Sequence, residues 1–199
     1  MRPGPSRRKA QRGAVSGLVR TEYRYHGEFS VLGADGAAAA LCYRGTVKEA
    51  LHRFKFGGRP QYAAWFAAEM AAVLAAQLDR WQPTCITYLP LGFLRARERG
   101  YNQAELLARP IAQSLSLPCV SALRKRPFTA RQSVQQDAAA RRKNAAGSLL
   151  PGRIPLAGER VVVIDDIVTT GSTAADAAHV LRSMGAACVF VLAAAKTVD

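Results

Sequence analysis

Acidic residues are scarce in this chain. Its 199 residues hold 14 Asp and Glu against 28 Lys and Arg, a formal net charge of +14. That imbalance implies a polyanionic partner: a phosphorylated metabolite, a nucleic acid, or both. A basic surface that only keeps the protein soluble is the plainer alternative. Cysteines are few, at Cys42, Cys85, Cys119 and Cys188, with no C-x-x-C and no His at ligand spacing. No zinc is therefore expected. Cys85, Cys119 and Cys188 begin strand-like runs, where a thiol behaves as a small buried hydrophobe. Long apolar runs are also missing. The longest, Tyr62 to Leu78, is Ala-rich and interrupted by Glu69 and Gln77. That is short for a membrane span, so a packed helix and no membrane insertion are expected. The first residues are basic and Pro-rich with no apolar stretch behind them, which excludes a signal peptide and points to the cytoplasm.

What remains suits one compact domain over 14–199. Hydrophobic residues make up 49% and charged residues 21%, enough apolar mass for a sizeable core. Residues 1–13 carry Arg7, Arg8, Lys9 and Arg12 with little to bury, and read as a disordered basic arm. Leu18 to Leu32 alternates roughly and reads as one or two strands; Gly33-Ala34-Asp35-Gly36 is a turn signal. Ala37 to Tyr43 is a weakly marked strand. Thr46 to Phe54 spaces Val47, Leu51 and Phe54 as a helix, with Thr46 and Glu49 as a capping-box pair. Gly57-Gly58-Arg59-Pro60 breaks the chain before a long helix from Gln61 to Leu78.

From Pro83 onward the pattern alternates. Ile86 to Leu91, Cys119 to Leu123, Arg160 to Asp165 and Cys188 to Ala193 read as strands. Tyr101 to Leu117 reads as a helix with Pro110 inside, which removes a hydrogen bond or kinks it. Thr173 to Met184 reads as an amphipathic helix stopped by Gly185. Arg124 to Leu150 is basic and aperiodic. This order implies an α/β fold with a parallel sheet and right-handed crossovers. Residues 14–84 would form an N-terminal β/helical hood with helices, and 85–199 the core.

The run Val161-Val162-Val163-Ile164-Asp165-Asp166-Ile167-Val168-Thr169-Thr170-Gly171-Ser172-Thr173 carries the chemistry. Its β-branched residues make a buried strand. Asp165 and Asp166 come at the strand's carboxyl end, where open α/β sheets bind ligands. Thr169, Thr170, Ser172 and Thr173 offer hydroxyls, Gly171 permits close backbone approach, and a helix start follows with outward N–H groups. Together these make a phosphate cradle. Acids beside a phosphate repel it unless they hold sugar hydroxyls or a metal, and a ribose bearing a 5-phosphate meets both demands. The alternative is an ordinary strand-loop-helix turn with the two aspartates as capping acids.

This run resembles the phosphoribosyl-pyrophosphate signature of type I phosphoribosyltransferases. The chain is also similar to the ComF-like competence family at Tyr43-Arg44-Gly45, at Lys55-Phe56-Gly57-Gly58-Arg59 and at Arg97-Glu98-Arg99-Gly100-Tyr101-Asn102-Gln103-Ala104, and loosely from Thr129 to Gly147. The resemblance implies a Rossmann-like type I phosphoribosyltransferase fold with a hood and a flexible loop. It implies Asp165 and Asp166 near the ribose 2- and 3-hydroxyls, and Thr169 to Thr173 around the 5-phosphate. Magnesium would bridge ribose hydroxyls and pyrophosphate. Leu91 and Gly92, in the turn after the first core strand, would form the pyrophosphate loop, with Arg95, Arg97 and Arg99 supplying cations. An exposed basic helix face is the alternative for these arginines. Asn102 and Gln103 would cap and orient that turn. Lys55 either reaches into the site or snorkels at the surface. Arg124 to Leu150 corresponds to the flexible loop, whose Arg141, Arg142 and Lys143 would meet pyrophosphate on closure; a disordered basic loop is the alternative.

Two departures from the family pattern stand out. Purine-salvage relatives carry an Asp where this chain has Thr169, and a threonine cannot serve as their general base. The N-terminal four-cysteine zinc module of most ComF-like proteins is missing. Two functions follow as expectations. One is an enzyme displacing pyrophosphate from ribose C1 with an unidentified nucleophile. The other is a nucleic-acid-binding accessory of DNA uptake that contacts single-stranded DNA and keeps the site for sensing. A competence-machinery protein partner and a homodimer remain open.

Overall fold

The computed structural model describes residues 23–27, 29–56, 59–92, 97–98, 100–127 and 147–198. The expected basic arm lies outside them. Four parallel strands form the central sheet in the order β1, β6, β5, β2. They are β1 (Gly36–Cys42), β2 (Cys85–Tyr88), β5 (Arg160–Val168) and β6 (Cys188–Lys196). Val161, Val162, Val163 and Ile164 are fully buried. This is the near-continuous apolar run that a strand covered on both faces requires. Gly36–Cys42, which the sequence reading put in the hood segment, is an edge strand of this sheet, paired with β6 from Gly36↔Phe190 to Cys42↔Lys196. Its small alanines serve because they lie close against neighbours rather than filling space.

Helices cover both faces. The two-residue period of a strand sends alternate side chains of β6 to opposite sides. Val191 and Ala193 cluster with Ala174 of α5 (Ser172–Ser183). Phe190 points the other way and stacks on Trp81 of α3 (Leu78–Trp81), ring centroids 4.8 Å apart. On that second face lie α1 (Gly45–Phe56), α2 (Tyr62–Ala75) and α4 (Gln103–Ser114), through Leu51, Phe54, Phe66, Met70, Leu107 and Ile111. The chain element order β5–α5–β6 makes one parallel crossover unit beside the site.

Several local expectations change. Leu18 to Leu32 forms no strand among its described residues beyond one antiparallel bridge, Arg24↔Leu41. Thr46 is not a cap, because α1 already starts at Gly45. That glycine has φ +50, and an added Cβ would lie 2.7 Å from the Tyr23 hydroxyl. The Tyr-Arg-Gly block is thus a helix entry that only glycine fits. The expected strand from Cys119 to Leu123 splits. Cys119 makes one parallel bridge to Ile86 at the sheet edge. Leu123–Lys125 becomes β3, paired antiparallel with β4 (Leu149–Pro151). Pro110 sits on the exposed side of α4, which continues to Ser114 because Leu107, Ala108, Ile111 and Ala112 are buried around it. No helix among the described residues is long and apolar enough to cross a membrane.

Leu181 on α5 is fully buried against the sheet. Leu181→Ala should lower unfolding stability by about 2–5 kcal/mol, read from urea denaturation midpoints at unchanged slope.

Candidate functional site

Strand β5 runs past its apolar stretch and carries Asp165 and Asp166 before ending at Val168. Both aspartates are half-buried, unlike their fully buried predecessors. Adjacent strand residues normally diverge to opposite faces. Here the Asp165 carboxylate folds onto the next residue and accepts the Asp166 backbone N–H at 2.8 Å. Burial, then the Asp166 charge, push the Asp165 carboxyl far above the ordinary carboxylate range. Lys55 and the Asp166 N–H oppose that rise without cancelling it.

Lys55 settles one open alternative. Its ammonium pairs with Asp166 Oδ1 at 2.8 Å, with side-chain exposures of 20% and 13%. It is a buried-end lysine of α1 facing the acid pair, not a surface snorkeler.

After Val168 the chain turns through exposed Thr169 and Thr170 into Gly171. Gly171 has φ +78 and ψ 1, a left-handed conformation that glycine adopts without strain. It is the N-cap of α5 and so brings no capping side chain. The Thr170 and Ser172 hydroxyls lie 2.8 Å apart, and Ala175 N–H closes the first helical turn on the Gly171 carbonyl at 2.8 Å. The first turn of α5 holds no acidic residue. Helix-start amides, hydroxyls and a positive dipole end thus face the same side as the strand terminus, which suits an anion.

The Tyr101-Asn102 block acts as a strut. The Tyr101 hydroxyl donates to the Phe54 carbonyl, and its ring stacks on Phe54 at 6.0 Å. Asn102 Nδ2 donates to the Leu89 carbonyl at 3.0 Å while its Oδ1 accepts from Ala104 N–H at 3.1 Å, capping α4. The block therefore fixes the end of α1, where Lys55 sits, to the turn leading into Leu91 and Gly92. Leu91 and Gly92 are half-buried, and Gln103 is buried. Arg97 is exposed. Arg95, Arg99, Arg141, Arg142 and Lys143 lie outside the described residues.

Two contributors escaped the sequence reading. Asp176, on α5, is 8% exposed. It accepts Gly147 N–H at 2.8 Å, Leu149 N–H at 3.0 Å and the Ser148 hydroxyl at 3.1 Å. It ties the chain at Gly147–Leu149, where β4 begins, to α5. The signal was an acid inside the Ala-Ala-Asp-Ala-Ala stretch of an inward face. Lys196 ends β6 beside Val168 and lies 5.8 Å over the Phe29 ring. Nothing in its own sequence context marked it.

Among the described residues, no group of three or more His, Cys, Asp and Glu could hold a metal by itself. The acid pair still fits magnesium in a restricted sense. It offers hard oxygen donors, and magnesium is commonly held by one or two carboxylates plus the oxygens of a phosphorylated substrate. A cavity of about 390 Å³ lies elsewhere, at the outer edge of β1, lined by Tyr25, Phe29, Arg80 and Trp81 among others. The acid pair takes no part in its lining, so charge and amide geometry, not enclosure, define the site.

Comparison with known proteins gives a consistent picture. The model of the phosphoribosyl transferase domain family matches residues 63–197. The chain is 32% identical over 150 residues to "DNA utilization protein YhgH" of Salmonella typhimurium; the match covers 74% of this chain and 66% of that protein. It is 35% identical over 106 residues to "Competence protein F" of Haemophilus influenzae, covering 52% of this chain and 46% of the relative. The chain thus spans less than two thirds of the length of these relatives. Among solved structures, a purine phosphoribosyltransferase from Pyrococcus horikoshii superposes with TM-score 0.41 at 17% identity, covering 67% of this chain and 82% of that one.

The raised Asp165 carboxyl has a stability consequence. Its protonated form favours folding below the unfolded value near 3.8, and that contribution is lost as pH rises through about 8. Wild type should therefore lose stability between about pH 4 and 8 relative to Asp165→Asn, which has no carboxyl to ionise. Parallel urea titrations at pH 5 and pH 8.5 measure this. A stability gap that fails to widen in favour of the variant at the higher pH contradicts the arrangement.

Proposed function

The chain belongs to the phosphoribosyl transferase domain family, and on that premise we propose that it binds 5-phosphoribosyl-1-pyrophosphate with magnesium and transfers the phosphoribosyl group. One observation carries this reading: two adjacent half-buried carboxyl groups at the end of β5, one of them paired with Lys55, followed within one turn by the acid-free start of α5. Ribose hydroxyls donate to carboxylates, and a 5-phosphate accepts from helix-start amides and threonine hydroxyls. A single sugar phosphate satisfies both groups, which no simple anion or simple polyol does.

In this reading Asp165 and Asp166 grip the 2- and 3-hydroxyls. Thr169, Thr170, Gly171, Ser172 and Thr173 hold the 5-phosphate. The Leu91-Gly92 turn and Arg95, Arg97 and Arg99 take the pyrophosphate, with Arg141, Arg142 and Lys143 joining them on closure. The bond from C1 to the pyrophosphate oxygen breaks, a bond from C1 to the nucleophile forms, and the nucleophile gives up its proton. Bound magnesium would neutralise charge on the departing pyrophosphate. The chain's own contribution is alignment and fixed charge rather than covalent chemistry. Thr169 is exposed and has no basic group, so proton removal from a purine is not the chemistry this loop supports.

The names of the relatives, "Competence protein F" and "DNA utilization protein YhgH", support a role alongside DNA uptake. The net charge of +14 favours a second reading in which the protein also contacts single-stranded DNA in the cytoplasm. Affinity for a labelled oligonucleotide should then fall steeply with salt, by roughly tenfold or more between 50 and 200 mM. A flat salt response removes this second reading.

Isothermal calorimetry with magnesium and 5-phosphoribosyl-1-pyrophosphate tests the first. Wild type should give saturable heat, and the double variant Asp165→Asn with Asp166→Asn should bind at least about tenfold more weakly. No heat from folded wild type defeats the proposal.

A further inference from the structure

Lys55 belongs to α1, far along the chain from the strand and helix that make the sugar-phosphate cradle, yet its ammonium ends on Asp166. The contact is short at 2.8 Å and both side chains are largely buried. A lysine is a compact charge on a flexible four-carbon stem, able to leave without moving the backbone. The backbone beneath it is held independently. Tyr101 bonds the carbonyl of Phe54, the residue before Lys55, and Asn102 bonds Leu89 beside the turn on the pyrophosphate side. The ammonium therefore reaches the acid pair from a braced helix end.

We propose that Lys55 stands in for the divalent cation at the acid pair of the ligand-free protein. It keeps free cation out until a metal-bound sugar diphosphate enters and displaces it. This rests on the ribosyl-diphosphate reading of the site. The physical basis is competition for one carboxylate. A cation that coordinates Asp166 Oδ1 would sit within a few ångströms of the ammonium, and like charges at that range repel strongly in a partly buried site. The free ion must then pay the full cost of separating the pair. A sugar diphosphate changes the balance. It brings hydroxyls to take over the carboxylates and negative oxygens to receive the released ammonium. In the same arrangement Lys55 supplies positive charge that partly offsets the burial of the acid pair.

Manganese titration followed by electron paramagnetic resonance tests this without any sugar ligand. Wild type and Lys55→Arg should bind Mn²⁺ weakly, while Lys55→Met should bind at least about fivefold more tightly. Adding Asp166→Asn to Lys55→Met should abolish the gain. Equal Mn²⁺ affinity in wild type and folded Lys55→Met overturns the proposal. Should Lys55→Met not fold, wild type answers on its own. Its lysines are reductively ¹³C-methylated, and the Lys55 signal is assigned by its loss in Lys55→Arg. That signal should stay fixed with Mg²⁺ alone and shift when 5-phosphoribosyl-1-pyrophosphate is added with it. A shift with Mg²⁺ alone overturns the proposal, as does a fixed signal under conditions where calorimetry shows binding. Absence of calorimetric heat in wild type defeats the functional reading instead, and the Mn²⁺ and Mg²⁺ arms still decide the role of Lys55.

Discussion

Two neighbouring carboxyl groups at the end of a buried strand are an electrostatic problem, and much of the structure follows from how it is met. Asp165 and Asp166 cannot both ionise cheaply where burial and mutual repulsion act together. The protein meets the problem with the backbone N–H of Asp166, donated to Asp165, and the ammonium of Lys55, paired with Asp166.

The supports around the pair share this logic. Tyr101 and Asn102 tie three separate pieces together: the end of α1, the chain after β2, and the start of α4. Asp176 does the same on the other face, joining β4 to α5 through three hydrogen bonds. Each strut is a side chain bonded mainly to backbone groups, the Ser148 hydroxyl on Asp176 aside, so it fixes main-chain position. Such bonds are the means by which a fold holds a site to within the tolerance that binding requires.

Much of this was legible beforehand where it depended on neighbouring residues. The valine run before Asp165 marked β5, and Gly171 between hydroxyl residues marked the turn into α5. The spacing of Val47, Leu51 and Phe54 marked α1. The reading failed where tertiary context overrode local preference. The stretch from Leu18 to Leu32 looks like strand, but its described residues make one antiparallel bridge, Arg24↔Leu41, with a Tyr25 N–H bond to the Ala40 carbonyl beside it. Ala37 to Tyr43 looks weak as a strand, but Gly36–Cys42 pairs along β6, which supplies a long partner. Thr46 looked like a cap, but Tyr23 packed on Gly45 starts the helix earlier.

The amino-acid order by itself determined the strand, the acid pair and the hydroxyl-rich turn into α5. These are contiguous residues whose chemistry is set by backbone geometry over a few bonds. Only the tertiary structure decided that Lys55 faces Asp166 rather than water, and that Asp176 anchors β4 rather than capping a turn. It also decided that Tyr101 braces α1. Those are contacts between segments distant in the chain. A side chain's partner across such a distance depends on how helices and sheet pack together, which no local pattern encodes.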